Sequence, residues 1–117
     1  ITFEIAHGYH VFLRVHDMMM RFHHGDGIRG TGGIGGITIP VNKAISQWDK
    51  AIRADMDCLG HHHQEIILPK AVLNGSLIGW NPYGNWIKAS FERPSQTFFL
   101  MSAERKRRTA IFPIFLG

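Results

Sequence analysis

The chain has one cysteine, Cys58, in 117 residues. A single thiol closes no intrachain disulfide, so the fold must be held by packing. This is compatible with a reducing cytoplasm, which is the expected location. Long apolar runs are also missing. No stretch reaches the roughly 20 residues that a membrane-spanning helix needs, and no membrane partner is expected. Glu4, His7 and His10 interrupt any apolar core of a secretory leader. There is no internal repeat, no low-complexity segment and no Ser-His-Asp arrangement. The first residue is Ile1 rather than Met, as expected of a segment cut from a longer polypeptide.

What is present is globular in character. Hydrophobic residues make up 44% and aromatics 11%, enough to bury a real core. Residues 1–117 are expected to form a single domain or the C-terminal part of one. The net charge of +4 draws anionic partners such as nucleic acid, though only modestly.

Periodicity organises the chain. His10-Val11-Phe12-Leu13-Arg14-Val15 and Met18-Met19-Met20-Arg21-Phe22 read as strands joined by a turn at His16-Asp17. The three methionines read as core. Residues 25–36 hold seven of the 13 glycines and read as a loop able to approach a ligand closely. Pro40 fits the first turn of a helix. Val41, Ala44, Ile45, Trp48, Ala51 and Ile52 recur at helical spacing, which predicts a helix ending near Ala54. Met56-Asp57-Cys58-Leu59 reads as a strand that places Cys58 among buried residues. Strand, loop, helix and strand over about 18–60 make a βαβ unit with parallel pairing and a right-handed crossover. Short strands follow at residues 65–68 and 70–73, then an irregular aromatic loop at 80–85. Two last strands at 97–101 and 109–115 flank a polar turn.

Five of the eight histidines fall in two clusters, His23-His24 and His61-His62-His63. Each cluster ends a strand of the βαβ unit, so parallel pairing brings both to one sheet edge, where loops carry function. Neutral imidazole is a common ligand of first-row metals. In Gly60-His61-His62-His63 the glycine lets the chain bend and the alternate histidines reach one metal or two. Arg29, in the glycine-rich loop, is a candidate for binding phosphate through two parallel hydrogen bonds. Asp26 either orients an imidazole or caps a turn. Gly30-Thr31-Gly32-Gly33-Ile34-Gly35 matches a dinucleotide fingerprint, with Asp55 as its acidic residue, but it joins no strand directly to a helix. Arg105-Lys106-Arg107-Arg108 is either a phosphate contact or a solvated hairpin tip. Trp80, Tyr83, Trp86 and Phe91 either stack on bases or pack in the core or loops.

With these residues in view, the chain resembles the C-terminal half of the calcineurin-like metallophosphoesterases. The motifs are His24-Gly25 and, after a helix and a strand, Gly60-His61-His62-His63, with Asn74-Gly75-Ser76 following. His24-Gly25-Asp26-Gly27-Ile28-Arg29-Gly30 is most similar to phage or prophage members, and the resemblance covers residues 10–116. It implies an α/β fold, part of a β-sandwich flanked by helices, with the βαβ unit and C-terminal strands within it. It also implies two divalent metal ions (Mn, Zn, Fe or Ni), with His24 and His61 on one and His63 on the other. His62 would be the variable position and His23 no ligand. The activity implied is phosphoester hydrolysis by a metal-activated water, on a phosphodiester such as DNA or a nucleotide. The family's Asp-x-His, bridging Gly-Asp and Asn-His motifs do not occur in these residues. Gly25-Asp26 belongs to the His-Gly motif. By themselves the 117 residues are therefore expected to bind metal weakly and not to turn over. The alternatives are a non-catalytic nucleic-acid-binding module and a phage assembly protein with a degenerate phosphoesterase fold.

Overall fold

The computed structural model describes residues 1–2, 5–29, 33–86 and 91–117. β1 (Val11–Val15) turns at His16 into β2 (Met18–His23), and the glycine-rich loop leads to α1 (Thr38–Trp48). Then come β3 (Met56–Leu59), β4 (Ile66–Leu68) and β5 (Ala71–Leu73). A short α2 (Pro82–Trp86) precedes the hairpin of β6 (Ser95–Ser102) and β7 (Arg107–Phe115). The first five strands form one sheet in the order β1-β2-β3-β5-β4, and β6 and β7 form a second sheet.

Three layers follow from the period-two alternation of the strands. On one face of the larger sheet, Leu59, Leu68, Ala71 and Leu73 meet Val41 and Ile45 of α1. Burying each of these α1 side chains stabilises the fold by about 1.5–3 kcal/mol. On the other face, Met20, Met56 and Val72 meet Phe99, Met101 and Ile111 of the hairpin. Met18 and Met20 are buried, as their apolar run implies. Arg108 fastens the hairpin by donating from Nη2 to the Leu68 carbonyl at 2.8 Å.

β2 and β3 are parallel and joined through α1, the βαβ unit expected from periodicity. The helix ends six residues earlier than its spacing predicts. Asp49 explains the early stop. A carboxylate at a helix C-terminus opposes the helix dipole, and here it turns to other partners. Its Oδ1 accepts from Arg21 Nη2 at 2.9 Å and from the Ala54 N–H at 3.2 Å, and its Oδ2 accepts from Lys70 Nζ at 2.9 Å. The chain folds back, and the Ile52 carbonyl accepts from Arg21 Nη1 at 2.9 Å. The predicted irregular loop at 80–85 likewise contains a helical turn, α2, which the aromatic-rich spacing did not announce. Among the described residues, no helix is long and apolar enough to cross a membrane.

Candidate metal centre

The β2–β3 register sets the site. Arg21 lies opposite Asp57, Phe22 opposite Cys58 and His23 opposite Leu59. The next residues out, His24 and Gly60, are joined by a hydrogen bond from the Gly60 N–H to the His24 carbonyl, 3.1 Å. His24 and the histidine turn thus leave neighbouring strands at one sheet edge. Gly25 makes the close approach possible. Its φ is 98°, and a Cβ there would lie 3.3 Å from the Gly60 carbonyl oxygen and 3.6 Å from His61 Cβ.

The outcome is a direct imidazole pair. His61 Nδ1 lies 3.0 Å from His24 Nε2, with ring centroids 4.8 Å apart and planes inclined 78°. His61 and His63 both hold a left-handed backbone, φ 65° and 56°. His16 and Lys106 hold the same conformation at the two hairpin turns, as residues in tight turns do. His62 packs edge-on to His61 at 5.2 Å and is half-buried. Burial first, then the neighbouring His61, lowers the His62 pKa, against an opposing hydrogen bond to the Gly25 backbone.

The separation is that of an imidazole–imidazole hydrogen bond, and it can also be set against the spacing of two nitrogens on one ion. With metal–nitrogen bonds of about 2.0–2.1 Å, two imidazole nitrogens on one ion stand about 2.9 Å apart at a right angle and about 3.3 Å at the tetrahedral angle. The observed 3.0 Å falls inside that interval. The resemblance set is not assembled in full. Among the described residues no group of three His, Cys, Asp or Glu is placed to hold a metal. The His63 ring neighbours that of Tyr83, with centroids 6.4 Å apart. Arg29 is exposed in the loop, one residue after the buried Ile28. Asp26 is exposed and has no hydrogen-bonding partner among the described residues, so it neither orients an imidazole nor caps a turn there.

Gly30, Thr31 and Gly32 of the dinucleotide match lie outside the described residues. Asp55 is committed to the sheet, its Oδ2 accepting from the Met19 N–H at 2.8 Å. Cys58 is half-buried in β3, and burial, reinforced by Asp57, pushes its thiol up to about 12. It stays protonated and is no nucleophile. It shares an open cavity of about 560 Å³ between the two sheets with Phe22, Val72, Phe99, Thr97 and His24. Of the basic run, Arg108 points inward, while Arg105, Lys106 and Arg107 are exposed.

Beneath the site lies a buried polar layer that strand spacing alone does not announce. Arg21 and Asp57 are both fully buried and share two hydrogen bonds, Nε to Oδ1 at 2.6 Å and Nη2 to Oδ2 at 3.0 Å. Burial works against the Arg21 charge, and the Asp57 and Asp49 contacts outweigh it. The Arg21 guanidinium also lies 5.3 Å from the Trp48 ring. His23 turns inward, with Nε2 3.6 Å from Asp57 Oδ1 and its ring 4.6 Å from Trp48. The available signal was a lone charge of opposite sign inside each of two apolar strands.

The described residues thus form a three-layered α/β unit with histidine turns at the carboxyl ends of two parallel strands. The same fold appears in the crystal structure of wild-type Vps29 complexed with Zn2+ from Entamoeba histolytica. That match has a TM-score of 0.59 and 16% sequence identity, and covers 86% of this chain and 52% of that chain. The chain thus spans about half the length of the Vps29 chain, and at this identity the likeness is one of fold. No family model and no curated protein matches the sequence.

Proposed function

We propose that these residues carry the C-terminal share of a metal-dependent phosphoester hydrolase site. His24 and His61 hold one divalent ion, His63 serves a second, and Arg29 binds the substrate phosphate. The observation that carries this reading is the 3.0 Å approach of two imidazole nitrogens across adjacent parallel strand ends. A divalent ion bound there supplies Lewis-acid polarisation of a phosphoryl oxygen. The chain's own residues hold the ion and orient the ester. The net charge of +4 supports a phosphodiester substrate, DNA or a nucleotide, and the reading places the protein in the cytoplasm of a bacterial or phage-infected cell. The Zn2+ in the Vps29 crystal structure supports zinc as the first ion to try.

The test is calorimetric titration of the chain with Zn2+ and Mn2+. His24→Ala and His61→Ala are each expected to weaken binding by at least roughly tenfold, with the fold retained by circular dichroism. Variants that bind both ions as tightly as the parent would sink the assignment.

One observation favours a second reading. Among the described residues no third donor joins His24 and His61. A non-catalytic, nucleic-acid-binding or assembly protein on the same fold predicts no ion binding by the parent and unchanged folding of His61→Ala.

A further inference from the structure

Beside His63 lies an aromatic surface to which the metal reading gives no role. The Tyr83 ring lies 6.4 Å from His63, and Trp86 lies 5.8 Å beyond Tyr83 with the planes inclined 33°. Tyr83 and Trp86 are 55% and 77% exposed. A second ring pair on the same excursion, Trp80 and Phe91, has centroids 6.2 Å apart and is also exposed. Large aromatic rings grouped outside a core mark a binding surface.

The excursion is anchored to the histidine turn. Its base is closed by the Trp80 N–H donating to the Glu92 carbonyl at 3.2 Å. Glu92 Oε2 accepts from the Glu65 N–H, 3.3 Å away and two residues past His63. Glu65 Oε1 in turn accepts from Thr97 Oγ1 at 3.0 Å. The rings therefore stand on a base bonded to the segment that carries His61 and His63.

We propose that Tyr83 and Trp86 form a stacking platform for a nucleobase of single-stranded nucleic acid whose phosphodiester lies at the neighbouring histidines. This rests on the metal-centre reading for the place of the phosphate. The occupant follows from the chemistry. Every base offers a π-face to an exposed aromatic ring. The excess of positive charge on the chain suits a phosphate backbone, and His63 bridges the rings to the histidine turn. A small phosphomonoester without a base would leave the platform unused.

The experiment measures fluorescence anisotropy of labelled oligothymidylate and of an abasic oligonucleotide of equal length, with Zn2+ calorimetry on the same samples. The parent is expected to bind the base-bearing strand roughly tenfold more tightly than the abasic one. Tyr83→Ala and Trp86→Ala should erase that preference and leave Zn2+ affinity and the thermal transition unchanged, while Trp86→Phe should retain it. Equal affinity of the parent for both strands overturns the proposal. So does a preference that survives Trp86→Ala, or a parent that self-associates in sedimentation through these rings with no base preference. The two readings separate cleanly. A base preference without Zn2+ binding keeps the platform and removes the metal centre, and Zn2+ binding without a base preference does the reverse.

Discussion

Arg21 and Asp57 face each other across the parallel β2–β3 pair with no solvent exposure on either side chain, joined by hydrogen bonds of 2.6 and 3.0 Å. The pair sits three residues before His24 and three before Gly60, so the register it favours is the one that brings the histidine turns together. Breaking such a pair strands a buried charge, which costs more than replacing both partners.

Asp57→Asn is therefore expected to destabilise the chain by about 3–5 kcal/mol. The double variant Arg21→Met, Asp57→Leu should lie closer to the parent than either single change. Urea unfolding followed by circular dichroism gives the comparison. Single variants within about 1 kcal/mol of the parent would remove the pair from the account.

Asp49 links stability to acid pH. Burial opposes its charge, but hydrogen bonds from Lys70, the Ala54 N–H and Arg21 prevail and hold its carboxyl below the ordinary 3.8. A folded-state pKa below the unfolded one adds stability that is complete above about pH 4 and is lost as the pH falls through the folded value. Asp49→Asn should thus be less stable than the parent at pH 6, with the gap closing toward pH 2. Thermal midpoints across that range provide the check, and a gap constant with pH would contradict it.

Gly25→Ala should cost about 1–2 kcal/mol, because a side chain at φ 98° is strained and its Cβ would press on the Gly60 carbonyl and Leu59. Zn2+ affinity should fall with it as the His24–His61 approach widens. Gly33→Ala, where no atom of the described residues stands within 4 Å of a Cβ, is the control for the melting and calorimetric comparison.

Cys58 should react slowly with iodoacetamide at pH 8 in the native chain and quickly in urea. Its thiol is pushed up to about 12 when folded, and only the thiolate attacks. Equal rates in the two conditions would show that the β3 side chain is not shielded.

Much of the frame was legible because it rests on local spacing. Val41, Ile45 and Trp48 mark one helical face whatever surrounds them. Met18-Met19-Met20 and Met56-Asp57-Cys58-Leu59 carry strand character, and parallel pairing follows from the helix between them. That logic is what brought His24 and His61 to one edge. The end of α1 was not legible, because it depends on Asp49 meeting Arg21 and Lys70, which are 28 and 21 residues away in sequence. The inward Arg21 and His23 escaped for the same reason. A strand shows which residues alternate, but not which face will be sealed. The neighbour of His63 was beyond spacing too, since Tyr83 is 20 residues further along the chain.

The amino-acid order alone determined the βαβ unit and the strand-ending histidine turns, since the helix, the strands and the turns between them are each marked by local spacing. Tertiary structure alone decided which charges are buried together, where α1 stops, and which two imidazoles come into direct contact. Those outcomes depend on contacts between residues distant in sequence, whose free energies are set by burial and register rather than by local preference.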